Sequence, residues 1–358
     1  MRDPEPEITR PAGVAESHIR RVFRVPPENS GMRVDVFLAT QLRNTSRTRA
    51  RAIVENGAFT PEGRRLGASD RVRAEDRIAL WRPPFEIEAE DPVPITTLYE
   101  DEALLVVDKP PLLAVHPTAR YHQNTVIKRL AAQRPGAFLS LIHRLDRETS
   151  GILLVAKTSA ADRAFKRMLE DRSIAAAAER VEDDRLSRGW LLAARRGAAL
   201  ADRIRKTYLA ITWGEPPEGT IDAPLEVDPD NPLRVKMRIA RRGAGMEART
   251  EVAVLERRPG YALVACRLHT GRQHQIRVHL AAQGTPVVGD KLYGPDERML
   301  ARGADDELTD EDRRRLELAR HALHAHRYEL PHALTGEPLD LVAPLAPDLV
   351  SFWAERRR

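Results

Sequence analysis

The stretch His143-Arg144-Leu145-Asp146-Arg147-Glu148-Thr149-Ser150-Gly151, followed by the apolar run Ile152-Leu153-Leu154-Val155-Ala156, decides how this chain is read. It sets one carboxylate, Asp146, among arginines and small turn-forming residues, directly before a buried-strand pattern. A carboxylate so placed can be held ionised by cationic neighbours and aimed from a rigid edge. Read alone, the segment serves equally well as a turn that Asp146 caps, with Arg144 solvated. The rest of the chain decides between the two.

Outward from this segment, composition and periodicity divide the chain. Residues 1–21 are rich in Pro, Glu and Arg with little periodicity, and a disordered tail is expected. Over 22–84, Val34, Phe37, Leu38 and Leu42 recur at helical spacing, and Ser46 reads as the N-cap of a second helix that Gly57 ends. That helix carries Arg47, Arg49 and Arg51; strand-like pieces follow, with Gly63 in a turn and Ile78-Ala79-Leu80-Trp81 last. Pro83-Pro84 and the acidic run behind it mark a linker at 85–94. From 95 to 345 strand-like and helical runs alternate. Leu104-Leu105-Val106-Val107 reads as a buried strand, and Asn124 or Thr125 caps a helix that runs through Leu130 and stops at Pro135-Gly136. Ser159 or Asp162 opens a helix with Ala164, Phe165, Met168 and Leu169 inward, and Thr309 with Asp312 opens another that runs to Arg320. Residues 173–202 read as an insertion, either a helical excursion or a partly disordered loop, and 346–358 as a C-terminal tail.

At 358 residues the chain holds one large domain and a small one, and 42% hydrophobic content supports a packed core. The net charge of +5 permits a polyanionic partner without requiring one. Only seven of the 58 basic residues are lysine; arginine suits bidentate phosphate contact and base stacking, although GC-rich coding yields the same excess. The single Cys266 excludes an internal disulfide, a cysteine zinc site and an iron–sulfur cluster. The sequence has no signal-like N-terminus and no apolar run near the ~18 residues of a membrane span, so a cytoplasmic location is expected. His321, His324, His326 and His332 lack an acidic or cysteine ligand at metal-binding spacing, and no metal is expected.

Five segments in order carry a resemblance. Asp108-Lys109-Pro110 with Val115-His116-Pro117 precedes the opening stretch. Lys206-Thr207-Tyr208-Leu209-Ala210 follows it, then Thr270-Gly271-Arg272-Gln273-His274-Gln275-Ile276-Arg277-Val278-His279-Leu280 with Gly289-Asp290, and Leu323-His324-Ala325. Over residues 95–333 the chain resembles the RluA/RluD-type pseudouridine synthases. Gly31-Met32-Arg33-Val34-Asp35 and Ser46-Arg47-Thr48-Arg49 resemble the alpha-L RNA-binding domain shared with ribosomal small-subunit protein four. The departure is at Thr60-Pro61-Glu62-Gly63, where that module carries a Val-Asn-Gly turn.

The resemblance implies an α+β catalytic domain with a mixed, largely antiparallel sheet and a central cleft, plus a small N-terminal α/β RNA-binding domain. It implies isomerisation of uridine in structured RNA, a reaction that adds and removes nothing and therefore calls for no cofactor. Asp146 becomes the carboxylate acting at the sugar, Arg277 its partner, and Tyr208 a stacking surface for an extruded uracil. Arg144 fills the vacated stack or holds phosphate. His116, His143, Lys109 and Arg272 bind phosphate or position loops, and Arg47, Arg49 and Arg51 contact RNA. The two-domain layout favours ribosomal RNA of the large subunit, with transfer RNA next, and a monomer is expected. The insertion, joining two motif-bearing segments, is expected near the cleft mouth, within reach of RNA. A non-catalytic RNA-binding assembly factor is the rival from another class. A hydrolytic glycosidase would need a second carboxylate, for which Glu148 is the nearby candidate.

Overall fold

The computed structural model describes residues 8–16, 18–42, 45, 47–82, 93–117, 124–178, 188–200, 203–231, 235–241, 244–304 and 307–356. Its contacts divide the chain into two compact units, Met1–Glu88 and Ala89–Arg358. The linker expected at 85–94 falls, except for Val93 and Pro94, outside the described residues, as does the capping residue Ser46.

In the first unit β1 (Ile19–Arg24), β3 (Arg77–Arg82) and β2 (Ala58–Phe59) form an antiparallel sheet in the order β1-β3-β2, with α1 (Val34–Gln41) and α2 (Arg47–Gly57) between β1 and β2 in sequence. Val34, Phe37 and Leu38 lie on the buried face of α1 and join Phe23, Val54, Ile78 and Leu80 in one core. Part of the expected N-terminal tail is instead structured. Ile8 packs with Phe59, Ala79 and Trp81, Arg20 Nη1 donates to the Ile8 carbonyl at 2.7 Å, and β1 pairs with β3 from Ile19 onward. Trp81 supplies the apolar surface that residues 8–16 cover, a partner that local composition does not reveal.

The strands described in the second unit are β4 (Thr96–Glu100), β5 (Leu104–Lys109), β6 (Ser140–Leu141), β7 (Ser150–Ala156), β8 (Arg205–Trp213), β9 (Gly219–Asp222), β10 (Leu225–Val227), β11 (Met237–Ile239), β12 (Arg249–Arg258), β13 (Tyr261–Leu268), β14 (Leu323–Pro331) and β15 (Pro338–Val342). Its helices are α3 (Val126–Gln133), α4 (Ser159–Ala178), α5 (Arg188–Ala198), α6 (Gln275–Ala282), α7 (Arg298–Ala304), α8 (Asp310–Leu316) and α9 (Pro347–Glu355). Ten strands form one mixed sheet in the order β4-β5-β7-β14-β8-β13-β12-β9, with β6 on β7 and β15 on β14. All its pairings are antiparallel except the short contact of β7 with β14, Ser150 opposite His324 and Gly151 opposite Ala325. Leu104–Val107 and Ile152–Ala156 are buried throughout, as strands covered on both faces must be. Gly151 has φ +104, and a Cβ there would stand 2.2 Å from the Ala325 carbonyl oxygen. The glycine that closes the opening stretch therefore admits β14 against β7.

Of the two forms expected for residues 173–202 the described part takes the helical one, and two other expectations are corrected. Within the presumed insertion at 173–202, α4 continues to Ala178 and α5 returns along it; Arg196 grips the buried Asp171 through two bonds of 2.6 and 2.9 Å, and Gly197 lies against the Asp171 carbonyl. A helical hairpin results, its connection 179–187 lying outside the described residues. The helix expected to reach Arg320 ends at Leu316, because Glu317 turns left-handed and its carboxylate accepts from Trp213, Tyr261 and Arg356. Residues 347–355 are no tail: α9 buries Leu349, Phe352 and Trp353 in the main core.

Candidate active site

Asp146 sits in an irregular segment that its neighbours tie down from several sides. Lys109, fully buried at the end of β5, donates to the carbonyls of Pro110, Leu113 and Arg147 at 2.7, 3.0 and 3.0 Å. Arg320 donates to the Glu148 carbonyl. The Glu148 carboxylate accepts from Lys291 Nζ at 2.7 Å and from the His321 backbone at 3.0 Å. Thr149 and Ser150 hydroxyls bond ring nitrogens of His321 and His324 at 2.8 and 2.9 Å. A loop so bonded presents its side chains with little freedom, as a preorganised site requires.

Arg277 approaches from the first turn of α6. That turn is built by Gln275, whose side chain accepts from Thr270 Oγ1 and the Arg272 backbone and donates to the Arg249 carbonyl and Thr250. The Arg277 guanidinium is divided: Nε and Nη2 clamp Asp290 at 2.6 and 2.7 Å, and Nη1 donates to Asp146 Oδ2 at 2.9 Å. Asp290 is fully buried and also accepts from the backbones of Leu292 and Tyr293. Burial works against ionisation of Asp146. His274, when protonated, and Arg277 pull the other way and hold the carboxyl down at about 2. Near neutral pH Asp146 is a carboxylate whose standing counter-ion is Arg277.

Tyr208 projects from β8 into the same cleft, and its hydroxyl meets that of Tyr328 at 2.5 Å. Burial pushes its phenol up to about 12, which disfavours a phenolate at neutral pH and suits a ring that packs against a base. Cavities of about 430 and 620 Å³ both open onto Asp146; Arg144, Asp146, Gln273 and His274 line both. The larger also has Lys166, Arg172, Lys206, Tyr208 and Arg272 on its walls. A carboxylate ionised in a pocket with cations and an aromatic wall can stabilise positive character at a sugar carbon while holding a polyanionic chain.

Residues 103–176 and 184–282 match the model of the RNA pseudouridylate synthase family. The chain is 34% identical over 345 residues to an uncharacterized RNA pseudouridine synthase of Chloroflexus aurantiacus, covering 92% of this chain and 91% of that protein. The chain belongs to the RNA pseudouridylate synthase family. Similarity to the ribosomal large subunit pseudouridine synthase D of Xanthomonas campestris pv. campestris is 32% over 350 residues, 96% of this chain and 94% of that one. Among solved structures, human RNA pseudouridylate synthase domain containing 1 superposes with a TM-score of 0.51 at 25% identity, over 74% of this chain and 89% of that one. This protein is thus an enzyme, a pseudouridine synthase acting on RNA.

Within this pseudouridine synthase the other residues singled out from sequence separate by exposure. Arg144 is exposed, lines both cavities, and its guanidinium has no partner among the described residues. Arg272 lines the cleft while its Nε donates to the Glu247 carbonyl at 2.9 Å. His116 lines the smaller cavity. Of the two roles expected for Lys109 the structure keeps loop positioning and corrects phosphate contact: the side chain is fully buried and spent on three carbonyls. His143 lines the larger cavity; its Nε2 accepts the Leu154 backbone N–H at 3.1 Å, and burial and Lys206 lower its pKa to about 3, so it stands neutral. In the first unit Arg47 lies 3.6 Å from Asp35, and Arg51 pairs with Glu55 at 2.8 Å; the Arg49 side chain lies outside the described residues.

Four site residues, Asp290, His274, Tyr293 and His321, received no site role from sequence. Asp290 lay within a quoted motif but received no role, although a fully buried aspartate two bonds from Arg277 orients it. His274 and Tyr293 face Asp146 together, and His321 with Glu148 braces the loop. The available signal was Gly289 before Asp290: φ is +77 and a Cβ would meet the Arg320 carbonyl at 2.0 Å, which marks a tight approach at this point.

Proposed function

We propose that this pseudouridine synthase modifies uridine in large-subunit ribosomal RNA, with Asp146 as the reacting carboxylate. The target nucleotide is flipped out of its stack into the cleft. Its N-glycosidic bond breaks, and the positive character that develops at the anomeric carbon is met by Asp146. The uracil turns against Tyr208 and rejoins through carbon five, which then gives up its proton, while N1, freed from the sugar, takes one up. Arg277, anchored on Asp290, keeps Asp146 ionised and aimed. Arg144 occupies the space the base vacates or holds the adjoining phosphate, and α2 with Arg47, Arg49 and Arg51 contacts RNA.

The observation that carries this reading is the 2.9 Å bond between Arg277 and Asp146 in a cleft walled by Tyr208. The ribosomal substrate is drawn from the names of relatives that align with nearly the whole chain. A cytoplasmic place of work goes with that substrate, and no helix among the described residues is long and apolar enough to cross a membrane. The test is pseudouridine mapping of total RNA from cells lacking the protein, complemented by wild type or Asp146→Ala. Loss of one or more sites in large-subunit RNA, restored by wild type alone, is expected. Unchanged maps would refute it, and a lost site in transfer RNA would move the substrate to that class.

A further inference from the structure

His274 is one of four non-glycine residues among those described with positive φ, at φ 57 and ψ 14, immediately before α6. A left-handed histidine costs of order 1 kcal/mol and persists where surrounding structure imposes it, often at functional sites. Here it turns the ring into the cleft, where His274 and Asp146 together line three adjoining cavities. Nδ1 lies 2.9 Å from the Tyr293 hydroxyl, and Nε2 lies 3.9 Å from Asp146 Oδ2.

The proton inventory assigns the tautomer. The Met237 backbone N–H, which can only donate, points at the Tyr293 oxygen at 2.8 Å. The phenolic proton is then directed to His274 Nδ1, its other partner among the described residues, and the imidazole proton is left on Nε2. Burial and Arg277 oppose protonation of the ring more than Asp146 favours it, so His274 stands as a neutral donor. The two facing atoms are an N–H and a carboxylate oxygen too far apart for a bond of their own. An oxygen about 2.8 Å from each fits across the 3.9 Å gap, provided that it accepts from nitrogen and donates to carboxylate. Hydroxyls have that double character, and the sugar hydroxyl adjoining the anomeric carbon is the ribose 2′-hydroxyl.

We infer that His274 and Asp146 together hold the 2′-hydroxyl of the target nucleotide, His274 Nε2–H donating to it and Asp146 Oδ2 accepting from it, with Tyr293 fixing the histidine tautomer. The inference rests on Asp146 working at the sugar, as proposed above. It makes His274 a substrate-binding residue and gives the cleft a means of telling ribose from deoxyribose at that one nucleotide.

The test uses the full chain and an RNA stem-loop carrying the uridine assigned by mapping, synthesised with ribose, 2′-deoxyribose or 2′-fluoro-2′-deoxyribose at that residue. Turnover of the ribose stem-loop by wild type establishes the enzymatic reading separately, before His274 is questioned. Wild type should lose about 100-fold or more in kcat/KM on removal of the hydroxyl, with little recovery from fluorine, which cannot donate to Asp146. His274→Ala should lose about 10- to 100-fold on the ribose stem-loop and far less on the deoxy one, so that discrimination collapses. His274→Asn, which keeps an N–H, should restore part of the discrimination, and Tyr293→Phe should fall between wild type and alanine. Equilibrium binding of both stem-loops is measured alongside, so that a deoxy substrate without detectable turnover still yields a ratio. Equal losses on the two stem-loops, or a ribose-to-deoxyribose ratio unchanged in both His274 variants, would overturn the inference.

Discussion

Replacing Arg277 by alanine tests the site at its most connected point. Three N–H···O bonds, two to Asp290 and one to Asp146, disappear, and two carboxylates lose their shared cation. Losing an opposite charge at this range raises a carboxyl pKa by about 1–3 units, so Asp146 should move from about 2 to about 3–5. In the wild type its folded-state pKa is depressed, so the stability it adds is present above the unfolded value near 4 and fades as pH falls toward 2. The variant forfeits that contribution and shows an acid limb in kcat below about pH 5, where wild type is flat. At pH 7.5 Asp146 still ionises, so the loss of turnover there, about 10²- to 10³-fold, reflects lost orientation and charge stabilisation. RNA affinity at fixed salt should change little, since the guanidinium is buried and spent on two carboxylates. Stability should drop by about 3–5 kcal/mol because Asp290 is left buried and unpaired. Arg277→Lys, which keeps a charge for Asp290, provides a folded control. Tritium release from carbon five of labelled uridine measures turnover, filter retention measures affinity, and thermal melting measures stability. Equal losses in turnover and affinity, or no acid limb in a folded variant, would refute the division of labour assigned to Arg277.

Tyr208→Phe should keep near-normal turnover, because the ring and not the hydroxyl meets the base; a collapse measured in the same tritium assay would assign the phenol to proton transfer. Arg144→Ala should weaken RNA binding and turnover and leave the melting temperature unchanged, since the side chain has no partner among the described residues to lose. Gly151→Ala should destabilise by several kcal/mol or prevent soluble expression, given φ +104 and the 2.2 Å approach to Ala325; a melting curve like that of wild type would contradict the proposed β7–β14 requirement. Deleting residues 174–201 should reduce RNA affinity or alter site choice. A truncated enzyme unchanged in both would remove the α4–α5 hairpin from the RNA-binding surface.

Strong local patterns were legible in the chain. The strands around Leu104–Val107 and Ile152–Ala156 follow from uninterrupted apolar runs, and α3 starts where Thr125 caps it, its hydroxyl accepting from Lys128. What local signal left open or wrong was decided by distant partners. Trp81 organises the N-terminal residues, Asp171 draws α5 back onto α4, and the core of the second unit claims α9. Lys109 illustrates the same limit: sequence marks it as a cation near the signature, and only burial among three carbonyls converts it from a phosphate ligand into a loop anchor.

Read along its length, the sequence carried the family, the α+β class and the motifs that hold Asp146, Tyr208 and Arg277, because ordered motifs and apolar runs are properties of the chain itself. Tertiary structure alone decided what surrounds Asp146. Arg277 reaches it across 131 residues, Asp290 divides that arginine, and a left-handed His274 with Tyr293 faces the same carboxylate. Those relations depend on α6 and on β7 beside β14 in the interior of the sheet being brought to one cleft, and spacing along a chain does not encode which elements meet.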